Sequence, residues 1–258
     1  MSPPRLITLA LSPYNDFGRW SLDRSGISYR EERQALLLHI VASRRAGGKG
    51  TTPVLVTEDE VVGESAEIAE WADRHCSSPG ALFPEGPEGE EVRGLVAHFG
   101  ADLGTLVRPL FWSSLIEDLP LANRLWSQGL SPRAARVQPW VLRLGKPGLR
   151  RGLRIKPDTV ETAPPRIRAI FDEVAARLER GPHLVGDRIT AADLSFAAMA
   201  APALMPPEGH PTDYPDLDQL TPPVASAMRA LRAHPAGEYA LRLYREERRP
   251  AVAKTAGG

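Results

Sequence analysis

Three hydrogen-bond donors sit close together in the stretch LSPYNDFGRW: Ser12, Tyr14 and Asn15. They follow an apolar run, RLITLAL, that reads as a strand, and they precede a helical pattern. A helix entrance carries unpaired backbone N–H groups and the positive end of the dipole, so donors placed there can steady an anion. Farther on, Thr52-Pro53 stands directly before the apolar PVLVT. Proline cannot donate to a sheet ladder and belongs at a strand's first residue. If the Thr52–Pro53 bond is cis, the turn exposes the Thr52 N–H and C=O to pair with an extended peptide; if trans, Pro53 merely opens the strand. In GESAEIAEW, Glu64-Ser65 stands at another helix entry. There Ser65 could hold a ligand carboxylate and Glu64 a ligand ammonium, or Ser65 could simply cap its own helix. Thr190 and Asp193 in RITAADL form a capping box with Ile189 and Leu194 as a staple, which serves folding rather than chemistry.

The elements that must position these residues can be read from patterning. The chain has 258 residues, enough for two domains. Its 32 basic and 32 acidic residues cancel, so no global field favours nucleic acid or an anionic membrane, and neither is expected as a partner. One cysteine, Cys76, excludes an internal disulfide framework and fits a reducing, cytoplasmic setting. The N-terminal apolar run is too short for a signal peptide, and no stretch approaches the roughly 20 apolar residues of a membrane helix. The six histidines show no close pairing of metal-ligand type, so no metal is expected.

Strand-like and helical runs alternate at first: strand 5–11, helix 16–25, strand 27–32, helix 34–45, strands 53–57 and 61–62, and a helix over SAEIAEWADRH. This βαβ-αββα order predicts a small mixed sheet with helices on both faces. A Pro-, Gly- and Ser-rich linker, CSSPGALFPEGPEGEE, then hands over to helical periodicity, clearest over 93–116, 119–130, 164–180, 191–204 and 224–233. The expected division is an α/β domain over 1–78, a linker over 79–88 and an all-helical domain over 89–258. Within the latter, 131–162 is Pro- and Gly-punctuated and basic, with eight Lys or Arg and no acid before Asp158. That run reads either as a solvated helical hairpin or as a surface for an anionic partner, with Trp140 interleaved.

Together, Ser12-Pro13-Tyr14, Thr52-Pro53, Glu64-Ser65 and the late LVGDRITAADLSF resemble, in order and spacing, the cytosolic glutathione transferases. A strand running into Ser-Pro-Tyr and a helix is also where thiol–disulfide proteins keep a reactive cysteine, and none stands here. The resemblance implies a thioredoxin-like N-terminal domain, an all-α C-terminal domain, a homodimer, and a thiol supplied by glutathione as co-substrate.

Laid onto this sequence, the resemblance implies that Thr52, before a cis Pro53, clamps the cysteinyl backbone. Glu64 and Ser65 take the γ-glutamyl end, and His39 and Lys49 help with the glycyl carboxylate. Ser12, Asn15 and Tyr14, in that order, are candidates for the donor to the sulfur. A free thiol near pKa 8.5 needs a fall of about two units, or roughly 2.7 kcal/mol. A hydrogen bond to a charged group contributes about 1.5–3 kcal/mol and a helix N-terminus about 0.3–1, so one well-aimed donor suffices. The absence of a nearby cysteine argues against disulfide reduction, which needs a protein thiolate. Phe111, Trp112, Leu115 and Arg108, with Met199 and Met205 behind them, are candidates for an acceptor pocket between the domains, though their helical spacing equally fits core. The expected activity is addition of glutathione to a small hydrophobic electrophile, a detoxifying chemistry. The alternatives are a glutathione-dependent isomerase or dehalogenase, or a non-catalytic binding protein on the same scaffold.

Overall fold

The computed structural model describes residues 3–248. The last ten residues of the predicted helical domain, 249–258, lie outside the described residues. Four strands, β1 (Arg5–Thr8), β2 (Arg30–Arg33), β3 (Val54–Val56) and β4 (Val61–Gly63), form one sheet in the order β2-β1-β3-β4. β1 and β2 run parallel, and β3 is antiparallel to both β1 and β4. Helices α1 (Pro13–Arg24), α2 (Leu38–Arg45) and α3 (Ser65–His75) complete this mixed α/β unit. Leu6, Leu22, Leu55, Ile68 and Trp71 pack its core between the sheet and the helices.

β1 and β3 are shorter than the apolar runs that announce them, β4 extends one residue past its run to Gly63, and β2 is shifted from the expected 27–32 onto Arg30–Arg33, charged throughout. β1 stops at Thr8 because Leu9, Ala10 and Leu11 leave the sheet to pack against the helical domain. Residues 34–37 are not helical as expected; Leu37 sits at φ +64°, and α2 begins only after it.

Among the described residues eight α-helices follow: α4 (Gly86–His98), α5 (Gly104–Leu115), α6 (Leu119–Trp126), α7 (Pro132–Gly152), α8 (Thr159–Leu178), α9 (Ala191–Leu204), α10 (Pro222–Arg232) and α11 (Pro235–Glu247). The predicted single helix 93–116 is two helices joined by a π-helical turn, Phe99–Leu103. All 14 residues of α9 are buried, as suits a helix rich in Ala and apolar all round at the centre of a bundle. Its capping box forms: the Thr190 N–H donates to Asp193 Oδ2 at 2.8 Å, and the Thr190 hydroxyl accepts from the Ala192 N–H at 3.3 Å. Asp193 also accepts from the Leu184 N–H and the Tyr239 hydroxyl, so the box ties α9 to α11.

The basic, proline-punctuated stretch contains α7, a helix of 21 residues. Pro132 occupies its first turn, where a missing N–H costs nothing, and Ser131 caps the Ala134 N–H at 3.3 Å. Pro139 and Pro147 stand inside it, each removing one ladder bond. Tertiary contacts offset that loss. Leu142 and Leu149 are buried, and Gln138 Oε1 accepts from the Leu36 N–H at 3.0 Å. The helix therefore lies across the segment that leads into α2. α11 carried no expectation from the sequence.

Candidate functional site

Pro13 opens α1 in its first turn, and the Ser12 carbonyl accepts the Asp16 N–H at 3.0 Å. Ser12 is thus in the capping position, yet its hydroxyl caps nothing and has no hydrogen-bond partner among the described residues. Asn15, fully buried, points the other way: Nδ2 donates to Thr52 Oγ1 at 3.2 Å, while Oδ1 has no partner among the described residues. Tyr14 is turned toward the helical domain. Its hydroxyl donates to the Gly100 carbonyl in the π-helical turn at 2.7 Å, and the Arg108 guanidinium lies 5.1 Å over its ring. Burial raises the Tyr14 phenol, against the pull of Arg108, so this hydroxyl is committed to holding the domains together.

The Thr52–Pro53 bond is cis. Gly18 lets α1 approach it closely: a Cβ there would stand 3.2 Å from Pro53 Cγ and 3.8 Å from Ile68 Cγ2 of α3. A side chain there would press on Pro53 while making ordinary contact with Ile68. At the entry to α3, Glu64 adopts φ +56° and its exposed carboxylate accepts from the Thr51 hydroxyl at 3.1 Å. Ser65, the first residue of α3, is 6% exposed and its hydroxyl has no partner among the described residues. Lys49 is exposed on the loop ahead of Thr51 and forms no ion pair among the described residues.

Between the two halves lies a cavity of about 140 Å³. Ser12 and Pro13 line one side, Phe111, Trp112 and Arg108 of α5 another, with Trp126, Leu149 and Pro202 contributed by α6, α7 and α9. Trp112 and Trp126 stack with ring centroids 5.1 Å apart at 21°. Arg108 spends its Nε on the Gly104 carbonyl at 3.1 Å, which holds its charge beside Tyr14. His39 also lines this cavity; Nδ1 is buried without a partner among the described residues, and burial lowers its pKa, leaving a neutral ring on a mostly apolar wall. Leu115, Met199 and Met205 are buried in the core and do not line the cavity.

Leu149, Trp126, Leu36 and Leu153 were not singled out from the sequence. The i, i+4, i+11 spacing of Gln138, Leu142 and Leu149 was the available signal, masked by the prolines. A larger cleft, about 480 Å³, opens at the far end of α1 beside Cys76 and Arg188. It contains none of the residues singled out as candidate donors or thiol-binding groups, so the smaller cavity, which Ser12 lines, is the candidate site. Among the described residues no group of three or more His, Cys, Asp or Glu is arranged to hold a metal ion.

Two family models match the sequence, the glutathione S-transferase N-terminal domain over residues 6–80 and its C-terminal domain over 157–234. No curated protein matches it. Among solved structures, the fold is similar to a glutathione S-transferase from Rhodospirillum rubrum F11, with TM-score 0.59, 19% identity and 96% of each chain covered. It is similar to the theta class enzyme from Xanthomonas axonopodis pv. citri with glutathione bound, with TM-score 0.57, 17% identity, and 93% of this chain and 98% of that one covered. It is also similar to glutathione S-transferase I from maize in complex with an atrazine glutathione conjugate, with TM-score 0.56, 18% identity, and 94% and 98% covered. Neither domain model extends over 81–156, where α7 and its cavity-lining Leu149 lie. With both terminal domains matched and a mixed sheet leading into a helical bundle, the chain belongs to the glutathione transferase family.

Proposed function

We propose that this protein binds glutathione, stabilises its thiolate with the Ser12 hydroxyl, and adds it to a compact hydrophobic electrophile held between the domains. One observation carries the reading: Ser12 stands at the mouth of α1 with an uncommitted hydroxyl on the wall of an apolar cavity. Of the three candidate donors, Tyr14 is engaged by Gly100, Asn15 is fully buried with its amide directed at Thr52, and Ser12 alone lines the cavity with an uncommitted hydroxyl, which favours it as the donor to a sulfur.

The Thr52 main chain is the edge against which the cysteinyl backbone would pair. The unpaired Ser65 hydroxyl and the N–H groups of the first turn of α3 suit the γ-glutamyl carboxylate, with Glu64 facing its ammonium. Lys49 suits the glycyl carboxylate. His39, on the wall of the acceptor cavity, is better placed to hydrogen-bond an acceptor's polar atom than a charged end of the tripeptide. The thiolate sulfur then attacks the electrophilic carbon. Either a leaving group departs with its electron pair, or the π pair of an activated alkene shifts and is protonated from water. No general base is required, because a donor worth about 1.5–3 kcal/mol already brings the thiol near neutrality. By the same family reading the protein works as a cytoplasmic homodimer.

A non-catalytic binding role has one observation in its favour. The cavity, about 140 Å³, is below the roughly 300–1,000 Å³ of pockets for drug-sized ligands, so it admits only a small acceptor unless α7 moves. Ultraviolet titration of bound glutathione separates the two readings. Thiolate absorbance at neutral pH that disappears in Ser12→Ala is expected; binding with an unshifted thiol would establish the second role.

A further inference from the structure

The net charge of zero offers no reason to expect a membrane partner. Charges interact over about 8–10 Å in physiological salt, however, so what a surface feels is the local distribution. α7 gathers that distribution on one side. Its inner face holds Gln138, Leu142 and Leu149. Its outer face carries Val137, Trp140 and Leu144, exposed by 44%, 65% and 78%, at the i, i+3, i+7 spacing of a single stripe. Arg133, Arg136, Arg143 and Arg151 flank the stripe, all exposed and without an ion pair among the described residues. Of the basic residues of α7, Lys146 and Arg150 form ion pairs among the described residues, sharing the single carboxylate of Glu117 at 2.8 and 3.0 Å.

We propose that the outer face of α7 docks on an anionic lipid surface, with Trp140 and Leu144 entering the headgroup boundary and the four free arginines meeting lipid phosphates. A helix with Arg on its flanks and Trp and Leu along its centre has the composition of one that lies in the plane of an interface. At 21 residues it offers a contact about 30 Å long. Both halves of the stripe are used by this occupant. A second copy packed through the same patch would set unpaired arginines against arginines across a two-fold axis. A nucleic acid would satisfy the arginines and leave Val137 and Leu144 without an apolar partner. No helix among the described residues is long and apolar enough to cross a membrane, so the association is peripheral. It does not depend on the catalytic reading.

The test is co-sedimentation of the full-length protein with vesicles of phosphatidylglycerol and phosphatidylcholine, against phosphatidylcholine alone. Binding only to the anionic vesicles is expected, with a blue shift of the fluorescence component that Trp140→Phe removes. Arg136→Glu with Arg143→Glu, and separately Leu144→Ser, should each weaken binding about tenfold or more. These positions are exposed, and an unchanged thermal melt shows that each variant is folded. No binding to anionic vesicles in low salt, or binding indifferent to these substitutions, overturns the proposal. So does a dimer dissociated by Leu144→Ser, or duplex DNA bound through the same arginines, in a protein that ignores vesicles.

Discussion

The Asn15 amide donates to the Thr52 hydroxyl across 3.2 Å, which fixes the first turn of α1 against the start of β3. Residues 37 positions apart thereby share one edge of the candidate site. Removing the link in Asn15→Ala should loosen the Thr52 edge while leaving Ser12 in place. The expected outcome is a several-fold rise in the KM for glutathione, an unchanged thiol pKa in the bound state, and a loss of about 1 kcal/mol in stability. Steady-state kinetics and ultraviolet titration check both halves.

Ser12→Ala should behave in the opposite way. Because the Ser12 hydroxyl makes no capping bond, its loss is expected to cost little stability, within about 0.5 kcal/mol. Losing a donor to an anion should lower kcat roughly 10- to 100-fold and raise the pKa of the bound thiol. A large fall in melting temperature with an unchanged thiol pKa would contradict this assignment.

Leu149, contributed by α7, is 7% exposed and lines the acceptor cavity. Leu149→Ala is expected to widen it, at a cost of about 2–5 kcal/mol if the space does not collapse. Relative kcat/KM should then shift toward bulkier electrophiles, measured across a series that differs by single methylene groups.

Arg248 is 5% exposed and donates to Asp23 and, through Nη2 at 3.3 Å, to fully buried Asp16. The Tyr244 hydroxyl donates to the same Asp16 carboxylate. Arg248→Ala leaves two carboxylates without their counter-ion in the interior. A destabilisation of about 3–5 kcal/mol is expected by chemical denaturation, with α11 released from α1.

Acid should weaken the fold in two steps. Burial pushes His210 down to about 4, despite Asp16 Oδ2 at 3.5 Å, so the folded chain resists a proton that the unfolded chain takes up near 6.5. Stability therefore falls as pH drops from about 6.5 to 4, by an amount on the order of 2–3 kcal/mol. Burial would raise Glu31, but Arg19, Arg33 and the Thr8 hydroxyl outweigh it and hold the carboxyl at about 2. Its contribution is complete above about 4.5 and is lost as pH falls toward 2. His210→Asn should flatten the upper step alone in melting curves taken from pH 7 to 4.

Much of the fold was legible because its signals are local. β1, β3 and β4 announce themselves as short apolar runs, α9 by its Thr190–Asp193 box, and α3 by the amphipathic pattern after Ser65, whereas β2 (Arg30–Arg33) contains no apolar residue. Strand ends were misread because an apolar run continues wherever side chains are buried. Leu9–Leu11 are buried against helices rather than in the sheet, and hydrophobicity does not distinguish the two. α7 was hidden for a different reason. Pro139 and Pro147 lower helix propensity locally, and only the contacts of Leu142, Leu149 and Gln138 with the rest of the molecule restore it.

The sequence by itself determined the two-part architecture and the resemblance to a family of thiol-using proteins, and it offered Ser12, Tyr14 and Asn15 as candidates for a donor. Periodicity, caps and turn residues act over a few positions, so they can be read from neighbours in the chain. Only the tertiary structure decided that Tyr14 and Asn15 are spoken for and Ser12 is free, that His39 faces the apolar cavity, and that Arg248 closes on Asp16 from 232 residues away. Those outcomes depend on which side chains meet when distant segments pack, and the identity of a partner that far along the chain leaves no trace in local pattern.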